Sequence, residues 1–174
     1  MPFLPSALKR FQEYKALGEK TFAQIGEADF YREPAPGVNS IAIIIQHLHG
    51  NMLSRWTNFL TEDGEKEWRR RDAEFEAQPR SREELLLLWE EGWKVLLDTL
   101  RGLQPEDLER TVTIRYQPLE VVDAINRQLA HYSYHVGQIV LLGKWIRARG
   151  WESLSIPRKG SAAFNEAMRQ EHGK

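Results

Sequence analysis

The sequence predicts an all-α chain folded as a four-helix bundle, and three observations carry that prediction. Four long segments repeat apolar residues at helical spacing. The stretches between them concentrate proline, glycine and charge. The period-two alternation that a strand needs occurs once, briefly. A chain of 174 residues suffices for one domain with a sizeable core, and residues 1–174 read as that single domain.

The first helix is expected from about Pro5 to Ile25, with Leu8, Phe11, Leu17 and Phe22 on or near its apolar stripe. "EPAPGVNS" breaks the chain, because two prolines and a glycine oppose a helix. Asn39 or Ser40 can cap the second helix, which continues to about Leu60 through Ile41, Ile44, Ile45, Leu48, Met52, Trp56 and Phe59. A charged connection follows, from Thr61 to Ser81. Ser81 and Glu84 have the spacing of a capping box before "LLLLW", and the third helix runs to about Leu100. "RTVTIRYQPL" alternates through Val112 and Ile114, enough for a short strand or hairpin. The fourth helix spans about Leu119 to Arg149, with a stripe of Val122, Ile125, Leu129, Tyr132, Val136, Ile139 and Val140. Beyond "WESLSIPRKG", Ser161 is a candidate cap for a short last helix. The second connection is too long for a tight antiparallel turn, so at least one crossover along the bundle is expected.

Composition excludes several classes of function. Lys and Arg total 24 against 25 Asp and Glu, a balance that gives no argument for nucleic acid or an anionic membrane as partner. There is no cysteine, which removes disulfides, thiolate metal sites and a cysteine nucleophile, and fits a cytoplasmic location. The N-terminus reads as no signal peptide, and the longest apolar runs, "IAIII" and "IVLLG", fall far short of the roughly 20 residues of a membrane span. Arg69, Arg70 and Arg71 are flanked by Glu65, Glu67, Asp72, Glu74 and Glu76, so an ion-paired or solvated loop accounts for them better than a nucleic-acid patch. Trp89 and Trp93 fit core packing. Trp56, Trp68, Trp145 and Trp151 are left to core or interface.

Four of the five histidines fall in two clusters, "QHLHGN" on the second helix and "HYSYH" on the fourth. His131 and His135 stand four positions apart, so both imidazoles leave one helix face. Gln128 and Gln138 share the polar strip with them. Three imidazoles plus water make a familiar open metal site, and neutral imidazole suits zinc, nickel, copper or iron. Tyr132 occupies the position of the glutamate in H-E-x-x-H, so the zincin mechanism with its built-in base is unsupported. The third ligand is open between His47 and His49. At roughly 100° per residue His49 lies nearer the centre of the apolar stripe, whereas His47 shares a face with Asn51 and Arg55.

"NSIAIIIQHLHGNMLSRWTNFLTEDGEKEWRRRDAEF", followed by "SREELLLLWEEGW", "LERTVTIR" and "NRQLAHYSYHVGQIVLLGK", resembles the DinB/YfiT-like metalloenzyme superfamily. More closely it is similar to a bacterial branch labelled as a domain of unknown function. The resemblance covers nearly the whole chain, through "SLSIPRKGSAAFN". It implies up-down-down-up topology and a divalent metal on three histidines, one from an "HL" step and two from the HxxxH pair. Carried onto this chain, those are His47, His131 and His135, with His49 kept as the rival ligand because the pattern usually has a small residue there. Zinc or nickel is the expected metal, ahead of iron or manganese. Characterised relatives include transferases and isomerases that use such a metal to activate bacillithiol, mycothiol or a related small thiol.

Asn51 and Arg55 follow His47 at one and two turns and could border the pocket, Arg55 holding a carboxylate or phosphate of a substrate. Gln138 could orient a ligand histidine. No carboxylate base is identified, and Tyr134 is read as pointing elsewhere. The expected function is metal-dependent activation of water or a small thiol for hydrolysis or group transfer on a small-molecule substrate. The rival is a non-catalytic metal- or ligand-binding bundle in a stress or sequestration role. A homodimer is expected, partly from the family.

Overall fold

The computed structural model describes residues 2–173, and the chain is mostly helical. In order, its elements are α1 (Phe3–Phe22), α2 (Ile41–Trp56), α3 (Arg82–Gly102), β1 (Thr111–Ile114), β2 (Gln117–Glu120), α4 (Val121–Arg147) and α5 (Ser161–His172). Short 3-10 turns occupy parts of the connections. No helix among the described residues is long and apolar enough to cross a membrane.

Local chemistry explains where these helices start and stop. The Ser40 hydroxyl accepts from the Ile43 backbone N–H at 3.3 Å and opens α2. Ser81 and Glu84 close a reciprocal capping box at the head of α3, with bonds of 3.1 and 2.6 Å. α1 begins at Phe3, ahead of Pro5, because a proline in the first turn lacks only an N–H that would have had no helical partner. α2 stops at Trp56 instead of reaching Leu60, since Thr57 is extended and Asn58 takes φ 50°. Ser161 is the first helical residue of α5 and Gly160 takes the cap position without a side-chain bond.

α2 packs chiefly on α3 and α1 chiefly on α4, while α1–α3 and α2–α4 contacts complete the association. Each of the four long helices sends one aromatic ring to the centre: Phe11, Trp56, Trp93 and Tyr132, none more than 1% exposed. Phe11 sits 6.2, 6.4 and 6.1 Å from Trp56, Trp93 and Tyr132, edge-on or tilted, the arrangement aromatic quadrupoles favour. Gly18 brings α1 against α3, because a Cβ there would meet the Trp89 ring at 2.5 Å. Of the tryptophans left to core or interface, Trp56 is core, whereas Trp68 and Trp145 are 56% and 46% exposed. α5 buries none of its residues.

β1 and β2 form an antiparallel hairpin with Ile114 paired to Gln117, so Arg115 and Tyr116 are its two-residue turn. Both have positive φ, 54° and 63°, a conformation that hairpins normally give to Asn-Gly. Asp63, from the connection after α2, offsets that strain. Its carboxylate accepts the backbone N–H groups of Arg115 and Tyr116, each at 2.8 Å, and that of Glu65 at 2.7 Å. Partial burial would raise the Asp63 carboxyl, but these backbone donors outweigh it and hold it at about 2.

The folded carboxyl titrates at about 2 and the unfolded one near 3.8, so its stabilisation is present above 3.8 and disappears as pH falls through 2. Asp63→Asn is therefore expected to lower the urea midpoint at pH 7, with the gap to the parent closing between 3.8 and about 2. A gap that is constant over that window would remove the ionised carboxylate from the account.

Candidate metal centre

Every residue of α2 from Ile41 to Leu48 is buried, so its packed surface has no single centre for a helical wheel to find. That is why the wheel's lean towards a buried His49 is overturned. His47 is 4% exposed and faces α4. His49 is partly exposed and its Nε2 pairs with Glu91 of α3 at 2.8 Å, away from the other histidines. His131 and His135 leave one face of α4 as their spacing requires. One ligand atom from each of His47, His131 and His135 lies within 4.8 Å of the others, so these three could hold a metal ion.

The connection between α2 and α3 crosses over His47 and supplies a carboxylate that sequence reading missed. Glu74 Oε2 accepts from His47 Nδ1 at 2.9 Å. The same carboxylate takes a two-pronged hydrogen bond from Arg69, at 2.8 and 2.9 Å, and the Arg69 side chain is only 2% exposed. Burial alone would raise the Glu74 carboxyl. The bonds from His47 and Arg69 and the Arg69 charge outweigh it and hold it below the usual carboxylate range. An ionised Glu74 only accepts, so His47 Nδ1 carries the proton of that bond and Nε2 is the nitrogen left to face a metal. Gln138 does the same for His135, its Oε1 accepting from Nδ1 at 2.8 Å. His135 Nε2 is left buried without a partner, as is His131 Nδ1.

The donor set fits a metal. Two nitrogens at about 2.0–2.1 Å from a tetrahedral ion stand roughly 3.3–3.4 Å apart, and His47 Nε2 and His131 Nε2 are 3.4 Å apart. Burial, together with the neighbouring His135, His47, Arg55 and Arg69, pushes His131 down to about 3. Burial and His47 outweigh the Gln138 bond and push His135 to about 4. Both imidazoles are neutral at pH 7, the form in which nitrogen can ligate.

The remaining sequence candidates line the adjoining cavity of about 440 Å³. Asn51 Oδ1 accepts from Gln128 Nε2 and from the Tyr132 hydroxyl, both at 2.9 Å, and Trp56 Nε1 donates to that hydroxyl at 3.1 Å. The cavity wall is thereby tied to the central aromatic cluster. Arg55 reaches the wall, but its guanidinium donates to the Gly64 carbonyl and to Glu65 at 3.1 Å. Tyr134, read from sequence as pointing elsewhere, also lines the cavity, its ring 4.1 Å from that of His135. It also stands 5.4 Å from the ring of His131 in the preceding turn, the direction in which an aromatic side chain on a helix leans.

A family model described as "Protein of unknown function (DUF1572)" matches residues 1–160, which takes in every histidine of the cluster and stops before α5. No curated protein and no solved structure matches the chain.

Removing the Glu74 carboxylate leaves Arg69 buried without its bidentate partner, which costs about 3–5 kcal/mol for a buried pair. Glu74→Ala is expected to lose stability on that scale in urea denaturation. Glu74→Gln is expected to lose less, since its amide oxygen still accepts from His47. A loss in Glu74→Ala below about 1 kcal/mol would place the pair in the weak, solvated class.

Proposed function

The chain belongs to the DUF1572 family of proteins of unknown function, and within it we propose a divalent-metal-dependent enzyme on a DinB/YfiT-like four-helix bundle of up-down-down-up topology. The observation that carries this reading is the placing of the outer partners. Glu74 and Gln138 stand at 2.9 and 2.8 Å from Nδ1 of His47 and His135, which leaves Nε2 of each ring for the three-histidine cluster. Outer partners of this kind fix ring orientation and raise ligand basicity. His47, His131 and His135 would hold the ion, and His49 is not needed for it.

A divalent ion there supplies the Lewis acidity that makes the anion of water or a small thiol available near neutral pH. The chain's own groups do the rest. Asn51 and Gln128 present amide groups at the cavity wall, oriented by Tyr132. Tyr134 covers His135 and narrows access for water. Glu74 keeps the His47 proton on Nδ1 and, bound also to Arg69, is not free to act as a general base. Hydrolysis or group transfer on a small molecule, with a low-molecular-weight thiol as cosubstrate, is the reaction class that suits this arrangement. The cavity beside the cluster favours it over closed sequestration, because a storage site saturates its ion with protein ligands.

Metal analysis after purification tests the site. His47→Ala and His131→Ala are expected to lose bound metal, and His49→Ala to retain it. Gln138→Ala is expected to weaken uptake by roughly 10–100-fold. Full metal in His131→Ala would sink the assignment. The metal-loaded parent is then screened against electrophile-plus-thiol pairs and simple esters. Turnover that survives unchanged in the triple-histidine variant would separate the activity from the metal.

A further inference from the structure

The cavity beside the histidines is lined by five arginines and no carboxylate. They come from four separate parts of the chain: Arg55 from α2, Arg69 and Arg71 from the connection, Arg115 from the hairpin turn and Arg127 from α4. Convergence of like charges on one wall is unfavourable unless something compensates it. The compensation present is incomplete. Glu65 serves Arg55, Arg69 and Arg115 together, Glu74 serves Arg69, and Asp72 stands 3.7 Å from Arg71.

Three donors remain available. Arg69 lines the cavity with a side chain that is 2% exposed; its Nη1 is buried and has no hydrogen-bond partner, Glu65 Oε2 standing 3.6 Å away as an ion-pair contact beyond hydrogen-bond reach. A buried guanidinium nitrogen left without an acceptor is costly, and native interiors rarely tolerate one without a ligand to complete it. Arg115 uses only Nε, on Glu65 at 3.0 Å, so its terminal nitrogens are uncommitted. The Arg127 side chain makes no ion pair or hydrogen bond among the described residues, although it lines the same cavity. The hairpin adds a second observation. Arg115 sits at φ 54°, and Asp63 is placed to hold that turn against its strain. Strain maintained by a dedicated partner points to a residue whose position matters.

We propose that this cavity is an anion subsite in which Arg69, Arg115 and Arg127 take a carboxylate or phosphate group of a small-molecule ligand. Arg55 is excluded from that role because its donors close the connection onto α2. As the substrate site of an enzyme the proposal rests on the metal-centre reading, but as an anion site it stands apart from it.

Isothermal titration on chelator-treated protein, in a low-salt buffer with a cationic buffering species, keeps the two apart. The probes are succinate, inorganic phosphate and the neutral succinamide. One of the two anions is expected to bind and succinamide not to bind. Which anion binds more tightly tells a carboxylate ligand from a phosphate one. The Arg115→Ala/Arg127→Ala double variant, whose side chains are on the surface, is expected to weaken that anion about tenfold or more. The Arg115→Lys/Arg127→Lys double variant should recover part of the loss, and Arg169→Ala on α5 should change nothing. Circular dichroism checks that each variant is folded. Absence of binding by both anions, or equal affinity in the alanine double variant, would overturn the subsite. His131→Ala that loses metal but still binds the anion would leave the subsite intact, whereas metal uptake without anion binding would leave only the metal reading.

Discussion

The chain of paired polar groups that runs Arg55–Glu65–Arg69–Glu74–His47 is the constraint on which the site depends. Arg55, Arg69 and Glu74 are almost entirely removed from water, and each would cost several kcal/mol if left alone there. Their pairing forces the connection after α2 to fold back over that helix instead of looping into solvent. Once it is closed, Glu74 meets His47, Glu65 meets Arg115, and Asp63 meets the hairpin turn. Three features distant in sequence are thus held by one set of ion pairs. Replacing the set with apolar residues would cost the fold little by the usual accounting of buried pairs. It would leave nothing to orient His47.

A second set of bonds joins this polar wall to the core. Tyr132 is fully buried in the aromatic cluster, and burial pushes its hydroxyl up, so it stays protonated and donates to Asn51. Gln128 and Trp56 complete the arrangement, leaving α2 and α4 cross-linked by side-chain hydrogen bonds one turn from the histidines. A histidine pair on a helix can slide or rotate with its helix. Here such a shift would break bonds among buried side chains, where each is costly to leave unmade. Preorganisation of the ligand set therefore comes from packing as much as from Glu74 and Gln138.

Legibility in the sequence followed the range of the interactions. The HxxxH pair, the Ser81–Glu84 box, the helices and the hairpin are written in neighbours a few residues apart, and local geometry suffices to read them. Glu74 lies 27 residues from His47, in a run whose composition reads simply as charged, so nothing local sets it apart from Glu67 or Glu76. The choice between His47 and His49 failed on the wheel because α2 is buried on all sides in its first half, where amphipathic direction carries no information. A resemblance in register suggested His47 where periodicity could not. Tyr134 was missed by treating a helix position as a direction, without the backward lean of a long side chain.

The character of the donor set bears on what an ion there would be good for. Imidazole ligands would offset none of its charge, unlike thiolates or carboxylates, which neutralise a structural ion and close its shell. The wall next to the cluster adds guanidinium groups and contributes no acid of its own. Such a place favours whatever brings negative charge, whether a ligand arriving as an anion or a group that becomes one during reaction. Glu74 keeps its own charge turned away, committed to Arg69 and the far side of His47, and so fixes orientation without cancelling that field. In the proposed reading the open side and its guanidinium donors would act together, admitting an anion and holding it beside the ion.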